Sequence, residues 1–355
     1  MTYFRKLLAS VALVPIFAWA AVATAQTEHK WAIEMHGGAG VIERSTMDAK
    51  TDAAYRAALK TALEAGAAVL EKGGSSLDAI EAAIRLMEDD PLFNAGRGAV
   101  FTAEGKNELD AAIMDGATLK AGAVAGVTRT RHPISLARAV MEKSPHVMLI
   151  GAGADAFATE HGLEEVDPSF FFTERRWDEL VKQLTREHRP VPPRPAGAPP
   201  APPTPVAAIE PLDAHKFGTV GVVALDRAGN IAAGTSTGGV SGKRWGRVGD
   251  SPIIGAGTYA ANASCAVSAT GTGEYFIRLT VAREICALVQ YKGMPLQAAV
   301  DDVIHQQLTA LKGDGGVIAM APDGTMAWGF NTSGMYRARL AEGGTPIVAV
   351  YADEK

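Results

Sequence analysis

The chain has 355 residues, 34 Lys and Arg against 39 Asp and Glu for a net charge of −5, and 47% hydrophobic content. That is ample for one large domain or two ordinary ones and excludes a mainly disordered chain. The mild acidity and the absence of any Lys/Arg-rich run exclude a binder that relies on phosphate neutralisation, and Cys265 and Cys286 make no disulfide scaffold and lack CxxC metal spacing.

The first 25 residues read as a signal peptide. Arg5 and Lys6 form a basic start, Leu7 to Val22 is uncharged and mostly apolar, and Ala23-Thr24-Ala25 offers a small-residue cleavage site before Gln26. The run is short for a spanning helix, and no later segment is long and apolar enough to cross a bilayer. The expectation is an exported protein, periplasmic or secreted, with no membrane contact.

Trp31 to Met35 is strand-like and enters His36-Gly37-Gly38-Ala39-Gly40. Ala53 to Lys72 reads as a helix stopped by Gly73-Gly74, and Ser75-Ser76 caps a second one from Leu77 to about Met87. Pro91 to Gly98 reads as a loop, with short buried strands at 123–128 and 147–150. Arg189 to Val206 holds nine of the 19 prolines, a composition that favours extended chain and suggests a solvated linker. After it, Val222 to Asp226 and Asn230 to Thr237 form a hairpin over a turn at 227–230. Further strands are expected at 265–269, 316–320, 326–330 and 347–351, and helices at 276–291 and 296–311. Helices in one block and strands in another predict sheet-on-sheet packing flanked by helices.

Several motifs fail on context. Gly234-Thr235-Ser236-Thr237-Gly238 matches a nucleophile elbow, but the glycine-dense stretch after it cannot start the required helix. Gly151-Ala152-Gly153-Ala154-Asp155-Ala156 matches a dinucleotide turn without its second strand and acidic residue. The eight histidines contain no HxH or HExxH pair.

Thr219 is different. A threonine hydroxyl needs a base within reach, and a threonine at a chain start supplies its own through an α-amine of pKa about 7.7–8.0. Cleavage of Gly218–Thr219 would create that amine. The flanking stretch decides the reading: Gly218-Thr219-Val220-Gly221, Thr235-Ser236-Thr237-Gly238-Gly239, Gly246-Arg247-Val248-Gly249-Asp250-Ser251-Pro252 and Ala269-Thr270-Gly271-Thr272-Gly273-Glu274 occur in order. With His36-Gly37-Gly38-Ala39-Gly40, Pro91-Leu92-Phe93-Asn94-Ala95-Gly96 and Glu108-Leu109-Asp110-Ala111, they resemble the isoaspartyl peptidase/L-asparaginase family of N-terminal nucleophile hydrolases over nearly the whole chain after the leader.

The resemblance implies an α+β fold, a four-layer αββα sandwich, made as a precursor that cuts itself into an α subunit, 26–218, and a β subunit, 219–355. Thr219 is then the nucleophile and Thr237 its hydrogen-bond partner, with Thr270 and Gly271 as the oxyanion hole. Arg247 and Asp250 hold the α-carboxylate and α-ammonium of the substrate, with Val248, Gly249, Thr272, Gly273 and Asn94 around it. No cofactor is implied for catalysis. The loop at 87–97 resembles one that holds a structural sodium ion through the carbonyls of Met87, Glu88, Asp90, Phe93, Ala95 and Arg97. Implied partners are small molecules, L-asparagine and β-aspartyl dipeptides, and a second heterodimer. The alternatives are a glycosylasparaginase acting on N-acetylglucosaminyl-asparagine and an exported non-catalytic binding module.

Overall fold

The computed structural model describes residues 29–201 and 218–354. The leader and the last part of the proline-rich segment, from 202 onward, lie outside the described residues. No helix among the described residues is long and apolar enough to cross a membrane.

Eight strands form the larger sheet: β1 (Ala32–Gly40), β2 (Leu109–Asp115), β3 (Ala121–Val127), β4 (Met148–Ile150), β5 (Val220–Leu225), β6 (Ile231–Thr237), β11 (Gly334–Ala341) and β12 (Ile347–Tyr351). Their order is β12-β11-β1-β5-β6-β2-β3-β4, antiparallel except where β3 meets β4. The smaller sheet is β10-β9-β8-β7, built from β7 (Thr258–Ala260), β8 (Ala266–Gly271), β9 (Gly315–Met320) and β10 (Met326–Phe330).

Strand periodicity assigns each face. On β5, Val220, Val222 and Ala224 pack under helices α1 (Ala49–Glu71) and α2 (Ser76–Asp89), whereas Val223 and Leu225 face the smaller sheet. On β6, Ala232 takes the helix side and Ile231 and Ala233 the inner side. With a period of two, Thr219 and Gly221 and also Thr235 and Thr237 fall on the inner face. On β8, Val267 and Ala269 pack on α7 (Val281–Lys292) and α8 (Leu296–Asp301), which leaves Ser268 and Thr270 facing inward. Helix, sheet, sheet, helix gives the expected four layers, and their middle gap turns polar at one end.

Three local readings change. The expected helix at 276–291 is two, α6 (Gly273–Leu279) and α7, because Thr280 is left-handed at φ 50°. The first amides of α7 go to loop carbonyls instead, Ala282 N to Ala256 O at 3.0 Å and Arg283 N to Gly255 O at 2.8 Å. The expected helix at 296–311 is α-helical to Asp301 and continues as a π-helical segment, Asp302–Leu308. The strand expected to be buried at 147–150 is β4, with Val147, Met148 and Ile150 exposed. The described part of the proline-rich segment is mostly exposed, with no buried residue, but it is tethered. Arg194 forks Glu174 at 2.8 Å twice, and its guanidinium lies 4.8 Å from the Phe172 ring centre. Those partners sit at and before the start of α5 (Glu174–Arg186), whose Trp177, Leu180 and Leu184 form a small core with Phe101 and Phe172.

Helices α3 (Pro133–Lys143) and α4 (Gly151–Glu160) complete the outer layer. α3 has no N-cap side chain of its own; Glu88 of α2 accepts the Ile134 N–H at 3.0 Å.

Candidate active site

The nucleophile candidate stands where β5 begins. Thr219 is buried, and its hydroxyl donates to Thr237 Oγ1 at 3.1 Å. Thr237 Oγ1 also accepts the Gly239 N–H at 3.0 Å, so two donors fix its lone pairs and the rotamer of Thr219. Gly218 is tightly enclosed. A Cβ there would stand 2.7 Å from Asn94 Cβ.

Asn94 acts through its loop. Its Nδ2 donates to Gly239 O at 2.7 Å, its Oδ1 accepts Val100 N–H at 2.9 Å, and its carbonyl accepts Gly238 N–H at 3.0 Å. Helix α5 secures the same loop. Arg175 Nη2 donates to the Pro91 and Leu92 carbonyls at 2.8 and 3.1 Å, and buried Arg176 donates through Nε to Gly98 O at 2.8 Å.

Thr219, Thr237, Arg247, Gly249, Asp250 and Gly271 line one small pocket, together with Gly218, Gly239, Val240 and Ser251. Asp250 is buried with Oδ2 unpartnered by protein, and burial pushes its carboxyl up to about 7 against the pull of Arg247. A buried carboxylate with a free lobe suits an ammonium ion. Arg247 presents its fork to Glu274, Nε to Oε1 at 3.0 Å and Nη2 to Oε2 at 3.1 Å. The Glu274 side chain is 56% exposed, so a carboxylate already lies on the guanidinium where a substrate carboxylate can replace or join it.

Thr270 is fully buried at the end of β8 beside Gly271. Gly271 has no room for a side chain, since a Cβ would lie 2.5 Å from Asp314 O. Gly273 likewise leaves 2.8 Å between a would-be Cβ and Asp250 Oδ1. Thr272 does not enter the pocket lining; its hydroxyl is taken by Asp314. Val248 also lies outside that lining, within the loop that carries Arg247 and Asp250.

Other groups of the site carry no assignment from sequence. His36 Nδ1 lies 3.0 Å from the Thr219 carbonyl oxygen and Nε2 lies 3.0 Å from Ser268 Oγ. Lys243, buried, donates to Glu108 O at 2.9 Å and stands 3.9 Å from Asp110 Oδ2. Asp110 pairs in register with Thr237, and burial raises its carboxyl while Lys243 opposes the rise. Cys265 and Cys286 are joined in a disulfide between the start of β8 and α7. For His36 the available signal is its place at the head of a glycine-rich motif; Cys286 lies in the apolar helix stretch 281–290, which carries none.

The loop expected from sequence to bind sodium is tightly wound. A Cβ on Gly96 would lie 2.2 Å from Glu88 O, and one on Gly98 would lie 1.9 Å from Phe93 O. Among the described residues, no group of three or more His, Cys, Asp or Glu side chains could hold a metal ion.

Residues 29–350 match the family profile described as asparaginase. The chain is 49% identical over 326 residues to an isoaspartyl peptidase of Escherichia coli strain K12, covering 92% of this chain and 97% of that one. It is 48% identical over 331 residues to an isoaspartyl peptidase of Salmonella typhimurium, covering 92% of this chain and 100% of the other. A plant-type L-asparaginase of Pyrococcus furiosus is 44% identical over 318 residues, 88% of this chain and 97% of that one.

Proposed function

This chain belongs to the asparaginase family, and from that premise we propose that it hydrolyses L-asparagine and β-aspartyl dipeptides through a threonine released by self-cleavage at Gly218–Thr219. It is an amidohydrolase, and neither a glycosylasparaginase nor a non-catalytic module is favoured by its relatives. The observation that carries the mechanism is the Thr219–Thr237 hydroxyl pair, 3.1 Å apart, opening into the pocket that also holds Arg247 and Asp250.

In the uncut chain Thr219 N is an amide and no base. Attack of the Thr219 hydroxyl on the Gly218 carbonyl moves the acyl group to oxygen, which breaks the Gly218–Thr219 C–N bond and frees the α-amine, and water then hydrolyses the ester to give the Gly218 carboxylate and the Thr219 hydroxyl. That amine takes the hydroxyl proton when Oγ attacks the side-chain carbonyl carbon of the substrate. The C–N bond breaks as the proton passes to the leaving nitrogen, and ammonia or an amino acid departs. Water enters the resulting ester, giving up its proton to the amine, and aspartate leaves with the Thr219 hydroxyl restored. Thr270 and the Gly271 N–H stabilise the oxyanion. Arg247 and Asp250 select the free aspartyl end and leave the departing group unread.

The carbonyls of Met87, Glu88, Asp90, Phe93, Ala95 and Arg97 are the proposed sodium cradle. The close turn at Gly96 and Gly98 fits it. A bound ion neutralises converging carbonyl dipoles and supplies no catalytic group. Export through the 1–25 leader is part of the same proposal, and the buried disulfide fits an oxidising compartment. So is pairing of two heterodimers.

Mass spectrometry of wild type and Thr219→Ala tests the centre of the proposal. Wild type should give two chains, the smaller starting at Thr219, and the variant one uncut, inactive chain. An alanine variant that still splits after Gly218 rules out intramolecular attack. Assays on L-asparagine, β-Asp-Leu, α-Asp-Leu and N-acetylglucosaminyl-asparagine should show turnover of the first two and none of α-Asp-Leu.

A further inference from the structure

The ladder between β1 and β5 ends at the pair His36–Gly221. Gly221 is flanked on its other side by Thr235 of β6. His36, Gly221 and Thr235 thus form a row across three strands on the face toward the smaller sheet. Gly221 leaves a gap in that row, and Ser268 of β8 fills it from the opposite sheet. A Cβ at Gly221 would stand 1.9 Å from Ser268 Oγ and 2.4 Å from His36 Nε2.

Around the gap runs a chain of buried hydrogen bonds. Ser268 Oγ is 3.0 Å from His36 Nε2 and 2.7 Å from Thr235 Oγ1. Thr258 Oγ1 lies 2.6 Å from Thr235 Oγ1 and 3.0 Å from the carbonyl oxygen of Ser251, next to Asp250. All four side chains are fully buried. Donor and acceptor roles can be worked out from the end at Thr219. Its carbonyl oxygen can only accept, so His36 Nδ1 carries the ring proton and Nε2 must accept from Ser268. Ser268, having given its proton, accepts from Thr235, and Thr235 accepts from Thr258. Thr258 then has one proton for two acceptors, and gives it to Thr235 Oγ1, nearer than the Ser251 carbonyl. Burial, which pushes the imidazole down to about 3, keeps a second proton off the ring.

We propose that His36 is a positioning residue for Thr219: fixed as the Nδ1–H tautomer by the Ser268–Thr235–Thr258 hydroxyls, it anchors the Thr219 carbonyl where the β1 ladder has stopped. The role rests on Thr219 being the nucleophile. Once Gly218 is cut away, Thr219 is a chain end, and a free end rotates unless its one remaining peptide plane is tied. Holding that carbonyl sets the direction of both the amine and the hydroxyl without any contact to substrate. The chain ends at Thr258, which lies against the Ser251 carbonyl of the loop that carries Asp250.

His36→Asn retains an N–H donor near the Nδ1 position, whereas His36→Gln retains only an acceptor toward Ser268. His36→Gln should lower kcat about 10- to 100-fold with KM within about two-fold, the size expected for a misplaced reacting group, and should slow self-cleavage. His36→Asn should recover most of the loss. Nitrogen-15 NMR of histidine in uncut Thr219→Ala protein, with the His36 signal identified by its loss in the His36→Gln double variant, should show protonated Nδ1 and bare Nε2 from pH 5 to 8. An Nε2–H tautomer overturns the proposal, as does a glutamine variant with wild-type kcat or an asparagine variant no better than glutamine. Were Thr219→Ala itself active, the nucleophile assignment would fall instead. An inactive Thr219→Ala beside an unimpaired His36→Gln sinks the positioning role alone.

Discussion

Opening the Cys265–Cys286 bond should cost stability and spare chemistry. The cysteines are 21 residues apart and both are fully buried. Releasing a loop of that length returns entropy to the unfolded chain worth about 3 kcal/mol at 25 °C. For a chain of this size that corresponds to a fall in Tm on the order of 5 °C. The bond ties the first residues of β8 to α7, whereas Thr270 and Gly271 stand at the other end of β8, held by pairing to Gly316 and Gly315 of β9. Turnover at 25 °C should therefore change little. The measurement compares oxidised protein with protein unfolded, reduced and refolded under reductant, because buried sulfurs react slowly in the folded state. Uncut Thr219→Ala is the right background for the melts, since subunit dissociation would otherwise enter the transition. Cys286 Sγ lies 3.1 Å from the Cys265 carbonyl, so a reduced Cys286 thiol has an acceptor. Equal melting temperatures for the two forms would refute the staple. A large loss of kcat with unchanged Tm would mean that the bond shapes the oxyanion strand rather than stabilising the fold.

Arg247→Ala and Asp250→Ala should process normally but raise KM for L-asparagine by the equivalent of about 2–5 kcal/mol, and an unchanged KM removes that residue from the site. Asp250 titrates near 7 in the empty pocket, and only its carboxylate binds an ammonium, so kcat/KM should fall as pH drops through about 7. Asp250→Asn should lose that part of the acid limb; a limb identical to wild type assigns it to another group. Gly98→Ala places a Cβ 1.9 Å from the backbone oxygen of Phe93, which cannot swing aside, and should destabilise by at least about 1–3 kcal/mol in a denaturant titration. A neutral effect there would mean that the loop relaxes without its glycine.

Much of the site is legible in sequence because close backbone approach leaves a mark. Glycine is required at 218, 271 and 273, where a Cβ would meet Asn94, Asp314 and Asp250, and such glycines sit in the same short stretches as Thr219, Thr270, Arg247 and Asp250. The hairpin β5–β6 is equally local: apolar alternation on both sides and a turn in which Asp226 Oδ1 accepts the amides of Ala228 and Asn230 at 3.0 Å each.

What tertiary structure alone decides is contact between residues far apart in the chain. His36 and Thr219 are 183 positions apart, and Ser268 is an ordinary strand serine until Gly221 makes room for it from the facing sheet. The proline-rich segment is mostly exposed, as a composition that disfavours helix and sheet suggests, but its tether, Arg194 on Glu174 and two aromatic rings, is a contact between separate stretches of chain. Helix α3 takes its cap from Glu88, and the break at Thr280 follows from amides claimed by Gly255 and Ala256. The sequence determines which residue types are available and where the backbone bends, since those depend on neighbours a few positions away. Which hydroxyl meets which imidazole depends on how two sheets stack, and no local pattern encodes that distance.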